Sequence, residues 1–97
     1  MNNVIKKESR FIKKLEEINS KYNCFSSINS AGLWISVEMS SKKNIEVDRL
    51  IKLSHRNGLM VLKANSNTIR FSPSLLIENE LIDKGLDLFE KSILDLL

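Results

Sequence analysis

Three side chains stand out as able to carry chemistry: Arg70, His55 and Cys24. His55 is the only histidine and Cys24 the only cysteine in the chain. A zinc site draws on several such ligands, so none can be assembled within one chain, and neither HExxH nor CxxC occurs. A Cys-His nucleophile pair stays open in space. Cys24, however, follows Lys21-Tyr22-Asn23 with no context that would activate a thiolate, and a structural cysteine and a surface histidine are expected. The many serines leave a Ser-His-Asp arrangement open in principle, but no GxSxG elbow supports one. The few glycines supply neither a GxxxxGK[ST] nor a GxGxxG phosphate loop. No catalytic group, cofactor-binding group or metal ligand is therefore assigned.

Arg70 departs from the pattern of an ordinary surface charge. It lies between Ile69 and Phe71 in a short strand-like run just before Pro73, close enough to the strand end to aim its guanidinium at the domain edge. A planar guanidinium so placed suits bidentate recognition of a carboxylate or phosphate. The competing reading is an exposed sheet residue, or an ion pair with an acid on a helix.

The hydrophobic period supplies the elements that would position it. Phe11, Leu15, Ile18 and Tyr22 recur at three- and four-residue steps and predict a helix from about Asn3 to Tyr22. Leu33, Ile35, Val37 and Met39 alternate with smaller or polar residues, Trp34 being the exception, and read as a half-buried strand over Gly32 to Met39. Val47, Leu50, Ile51 and Ser54 share one face of a second helix, about Glu46 to Arg56, closed by Asn57-Gly58, residue types that accept the left-handed conformation. Leu59 to Leu62 and Thr68 to Phe71 read as short antiparallel strands joined by the polar loop Lys63 to Asn67. Further loops are expected at Asn19-Ser20, at Ser40 to Asn44 and at Pro73, which lacks a backbone N–H and should end the last strand near Ser72.

Leu81, Ile82, Gly85, Leu86, Phe89, Ile93 and Leu97 then form one broad face of a third helix from about Asn79, with Glu78, Glu80 and Asp83 complementing its amino-terminal dipole. Gly85 inside it costs about 1 kcal/mol relative to Ala, which implies close packing on the sheet. The expected order is α-β-α-β-β-α. This is an α+β fold, a small, largely antiparallel sheet of about three strands with helices packed on one face.

Size and composition agree with one soluble domain. With 97 residues, 42% hydrophobic and 28% charged, there is material for a single core, and too few reactive side chains for a complete enzyme. No apolar run nears the ~20 residues that span a bilayer, so no membrane partner is expected. The amino terminus lacks the apolar region of a secretory signal and Cys24 has no disulfide partner, which points to the cytoplasm. The net charge of +3 is uneven: residues 1–56 hold eleven Lys and Arg against six Asp and Glu, residues 57–97 four against six. Lys6, Lys7, Arg10, Lys13 and Lys14 could form a nucleic-acid surface, but no base-stacking aromatics interleave with them. A solvated helix face is preferred over a nucleic-acid partner.

Four ordered segments carry more than periodicity: Gly32-Leu33-Trp34-Ile35-Ser36-Val37-Glu38-Met39, His55-Arg56-Asn57-Gly58-Leu59-Met60-Val61-Leu62, Asn67-Thr68-Ile69-Arg70-Phe71-Ser72-Pro73-Ser74-Leu75 and Glu80-Leu81-Ile82-Asp83-Lys84-Gly85-Leu86. In this order they resemble the carboxy-terminal small domain of class III pyridoxal-phosphate-dependent aminotransferases, the family of the ornithine, acetylornithine and 4-aminobutyrate enzymes. The resemblance covers nearly the whole chain. Two departures stand out: Asn29-Ser30-Ala31-Gly32-Leu33 replaces the family's Arg-Gly-x-Gly-Leu, and Ser36 replaces a common strand glycine. Arg70-Phe71-Ser72-Pro73-Ser74-Leu75 keeps the family form Arg-Phe-x-Pro-Ser-Leu. In many members that arginine binds the substrate α-carboxylate, so the resemblance implies a substrate-binding role for Arg70.

The resemblance also implies what residues 1–97, read as a single domain, do not supply. In the family the Schiff-base lysine, the acid that pairs with the pyridinium nitrogen and the phosphate cradle belong to a large domain preceding this segment, and no lysine here lies in a motif similar to that site. The chain is expected to be a stand-alone or truncated carboxy-terminal domain, inactive alone. It would contribute carboxylate binding only with a large aminotransferase domain as partner, and pyridoxal phosphate is implied only if that domain is supplied. The alternative is a noncatalytic module derived from such an enzyme, which forms a homo-oligomer or binds another protein. A remnant without independent function is the third reading.

Overall fold

The three-and-four spacing of Phe11, Leu15 and Ile18 produces α1 (Asn2–Tyr22), with all three side chains buried and Tyr22 partly so. The structure, a computed structural model, describes residues 2–31, 34–40, 45–71 and 78–97. Asn19-Ser20, expected as a loop, lies inside α1, where Asn19 closes the helix instead. Its carbonyl accepts the Asn23 N–H at 2.7 Å, and its side-chain Oδ1 accepts the Phe25 N–H at 2.9 Å. Asn23 takes a left-handed φ of 51°, the conformation that most readily ends a helix and one that asparagine tolerates.

The chain then enters β1 (Phe25–Ala31), a strand that the expected order lacks. The correction has a physical cause. Phe-Ser-Ser-Ile-Asn-Ser-Ala has little apolar alternation, and a bulge between Phe25 and Ser27 interrupts what there is. As an edge strand, β1 needs only its backbone and a few anchors, of which Phe25 is buried. β2 (Trp34–Met39) alternates exposed and buried as its period predicts; Gly32 and Leu33, read as its start, lie outside the described residues.

Helix α2 (Val47–Arg56) buries Val47, Leu50 and Ser54, and the Ser54 hydroxyl donates to the Leu50 carbonyl at 2.7 Å, so its burial leaves no orphan. Of the pair expected to close it, only Gly58 is left-handed, with φ 96°; Asn57 remains right-handed. The Gly58 N–H donates to His55 O and the Leu59 N–H to Ser54 O, the two bonds of a Schellman closure. β3 (Val61–Asn65) begins and ends later than expected, because the loop before β4 (Thr68–Phe71) contracts to the turn at Ser66-Asn67. β4 itself has the expected span. The predicted end of the last strand near Ser72, the role of Pro73 and the loop over residues 41–44 lie outside the described residues.

All pairings are antiparallel, in the order β1-β2-β4-β3, giving a four-stranded sheet rather than one of three. Helix α3 (Asn79–Leu96) packs against both α1 and α2. It buries Ile82, Gly85, Leu86, Phe89 and Ile93, whereas Leu81 and Leu97, read onto the same face, are exposed near its ends. Ile35, Val37, Met39, Ile69, Phe71 and Val61 face these helices. Phe71 stands at the centre, its ring edge-on to Phe11 at 5.0 Å and to Phe89 at 4.9 Å between centroids. The fold is α+β, as expected.

Candidate functional site

Strand pleating sends alternate residues of β4 to opposite faces, so the register that buries Ile69 and Phe71 under the helices must put Arg70 on the other side. Across the sheet Arg70 pairs with Ser36 on one side and Leu62 on the other, and Ser36 pairs with Asn29. One row thus reads Asn29, Ser36, Arg70, Leu62 on the face opposite the described helices. Trp34, two residues before Ser36, is the diagonal neighbour of Arg70. The guanidinium lies over its indole, 5.2 Å from the ring centroid. Asn29, Ser30, Trp34, Ser36 and Arg70 line a shallow hollow of about 200 Å³.

Arg70 is exposed, and no carboxylate among the described residues forms a salt bridge with it. The ion pair with a helix acid, the competing reading of this residue, is not made. An arginine supported on one side by an aromatic ring keeps its in-plane N–H groups for a planar anion, and nothing in the hollow is placed to move a proton.

The other cations of note are used differently. Arg10 on α1 donates to Asp83 on α3 through Nε at 2.9 Å and a terminal nitrogen at 2.6 Å, and Lys14 approaches the same carboxylate at 3.6 Å. Hydrogen bonds from Arg10 hold the Asp83 carboxyl below the usual aspartate range, and Asp83 in turn raises Arg10. Near the other end of α1 the Tyr22 hydroxyl donates to Glu90 at 2.7 Å and Lys21 reaches it at 3.3 Å. Glu90 is lowered chiefly by that phenol, and the phenol is raised by Glu90. Part of the basic helix therefore pins α1 to α3, an interhelical role that the sequence reading as a solvated face did not include.

Cys24 and His55 are not brought together. Cys24 is buried just before β1, at one edge of the sheet, while His55 is beside β3 at the other, its Nε2–H donating to the Val61 carbonyl at 2.9 Å. Among the described residues, no group of three or more His, Cys, Asp or Glu side chains is placed to hold a metal, and no helix is long and apolar enough to cross a membrane. The residues that sequence reasoning missed are Trp34, Asn29 and Ser30. Trp34 carried a signal, as the one large residue on the small or polar side of β2's alternation; Asn29 and Ser30 were hidden with β1.

The chain is similar to known proteins over nearly its whole length. Residues 1–93 match the family described as Aminotransferase class-III. The acetylornithine/succinyldiaminopimelate aminotransferase of Yersinia pestis is 36% identical over 93 residues, covering 96% of this chain and 23% of that protein. The mitochondrial acetylornithine aminotransferase of Saccharomyces cerevisiae is 38% identical over 91 residues, covering 93% and 21%. A similar fold occurs in the crystal structure of N-acetylornithine aminotransferase from Stenotrophomonas maltophilia K279a, with a TM-score of 0.88 at 24% identity over 97% of this chain and 26% of that one. The chain thus spans about a quarter of the length of the proteins it matches.

Proposed function

This chain belongs to the class III aminotransferase family, and we propose that it serves as the carboxy-terminal small domain of such an enzyme, with Arg70 binding the substrate carboxylate. The observation that carries the reading is the exposed Arg70 guanidinium, set over the Trp34 indole on the sheet face opposite the helices and paired with no acid among the described residues. Bidentate pairing of this fork with a carboxylate would fix both the position and the orientation of an amino acid or 2-oxo acid.

Pyridoxal phosphate supplies the electron sink for amino-group transfer in this family. The residues around Arg70 do not fit it, since Asn29, Ser30, Trp34, Ser36 and Arg70 include neither a lysine nor a carboxylate for the pyridinium nitrogen. The cofactor and its lysine therefore belong, in this reading, to a large domain outside these 97 residues, and the chain alone does not transaminate. Mixing it with a large-domain partner and assaying amino transfer from acetylornithine to 2-oxoglutarate tests the assignment. Activity should require both parts and fall with Arg70→Ala, whereas failure of the two to associate would sink it.

A second reading is favoured by one further observation. Trp34, Met60 and Leu62 are exposed by 50%, 61% and 51%, and Leu62 pairs directly with Arg70. Apolar side chains around the same face suit contact with another protein surface, including a second copy acting as a noncatalytic module. Sedimentation at several concentrations separates the two, because a chain that stays monomeric without a large domain excludes the self-associating version.

A further inference from the structure

We propose that Trp34 is a positioning residue for Arg70, holding the guanidinium plane against the open sheet face so that a carboxylate is met by its in-plane N–H edge. The proposal rests on the carboxylate reading of Arg70 and adds to it the group that orients the fork.

The placement of Trp34 calls for a reason. An indole is the largest apolar side chain and gains most from full burial, yet this one, the only tryptophan in the chain, stays half-exposed on the face away from the core. The register supplies the reason. Arg70 pairs with Ser36, so Trp34 stands at the diagonal position, where long and aromatic side chains reach one another across an antiparallel pair. Ser36, directly opposite Arg70, is too small to cover the guanidinium, and Asn29 beyond it leaves the hollow open on that side.

A guanidinium over an aromatic ring spends one π-face on the contact and keeps its five N–H donors in the plane. Without the ring, an exposed arginine samples many rotamers, and a carboxylate must select the productive one. With it, part of that ordering is complete before the ligand arrives. An exposed cation–π contact of ordinary strength corresponds to roughly a two- to five-fold gain in affinity.

The test uses ¹⁵N-labelled full chain and sodium propionate as the carboxylate. Arg70 Nε–H is assigned by its absence from Arg70→Lys. In the unaltered chain its side-chain protons should be shifted upfield by the indole ring current, and propionate should perturb Nε–H. Trp34→Leu should abolish the upfield shift and weaken propionate binding roughly two- to five-fold, with the backbone amide spectrum otherwise retained. Trp34→Phe, the milder change should Trp34→Leu not fold, should keep a reduced shift and intermediate affinity.

Absence of the upfield shift in the unaltered chain overturns the positioning role. So does propionate binding that is equal in the unaltered and Trp34 variants. If propionate perturbs Nε–H in none of them while the ring-current shift is present, the chain alone holds no carboxylate and the positioning proposal falls, while the carboxylate reading with a large domain is decided by the mixing assay.

Discussion

Arg70 and Phe71 are consecutive residues of one strand, and they separate the molecule into two regions built on different rules. Phe71 faces the helices α1 and α3 and is buried among Phe11, Phe89 and the aliphatic core. Among the described residues Arg70 faces no helix and meets one aromatic ring at the rim of a shallow hollow. The helical side has its polar groups committed: Ser54 to Leu50, Asn57 to Ser92, and Arg10 to Asp83. On the open side a permanent cation stands beside half-exposed apolar side chains, an arrangement that adds little to folding. Stability and binding should therefore be separable by substitution along β4.

The largest effect expected from that division is at Phe71. Phe71→Ala removes a ring packed edge-on against two others and should destabilise the chain by about 3–5 kcal/mol, read as a lower midpoint in urea unfolding. A loss below roughly 1 kcal/mol would mean that the core does not depend on the face assigned to it.

A smaller loss on the same side probes backbone rather than packing. A Cβ at Gly58 would meet nothing within 4 Å, so Gly58→Ala isolates the cost of φ 96° in the closure of α2. About 1 kcal/mol is expected, measured in the same way. A neutral or stabilising result would show that α2 can end without the left-handed residue.

Smaller again is the charge pinning of α1 to α3, which solvent reaches. Asp83 and Glu90 are both held below the ordinary carboxylate range, so their contribution is complete above about pH 4–5 and is lost as pH falls through the lowered values. Tyr22 has the opposite sign: its raised phenol contributes below about pH 10 and loses that contribution as pH rises through the raised value. Thermal midpoints from pH 7 down to pH 2 should fall, and Asp83→Asn should flatten that decline. An identical slope in the variant would remove Asp83 from the helix-pinning set.

The two regions also differ in how much of them was legible beforehand. The helical side announced itself through spacing: Phe11, Leu15 and Ile18, then Leu50 and Ser54, then Ile82, Leu86, Phe89 and Ile93, all buried where the period put them. Local pattern suffices there because one helix face repeats the same burial requirement every turn. β1 was invisible for the converse reason. At the sheet edge, with serine at three of its seven positions, it is held by backbone pairing to β2, which leaves no mark on side-chain pattern. Arg70 was legible as a candidate residue but its surroundings were not, since the indole beneath it arrives from another strand through a register that no local spacing encodes. The Arg10–Asp83 bridge, 73 residues apart in sequence, was hidden in the same way.

The smallest stability effect is the one that cuts deepest into the comparison. Arg70→Ala removes a side chain that is solvent-exposed, makes no salt bridge among the described residues and leaves the backbone pairing of β4 with β2 and β3 in place. Its urea midpoint should lie within about 0.5 kcal/mol of the unaltered chain, although the substitution is one residue from Phe71. Because the only tryptophan lies under the guanidinium, the same variant should change the intrinsic emission while the midpoint stays fixed. That pair of results, a moved signal and an unmoved stability, is what a face kept for binding predicts. A destabilisation approaching that of Phe71→Ala would instead make Arg70 part of what holds the sheet together, and the two faces would no longer be separable.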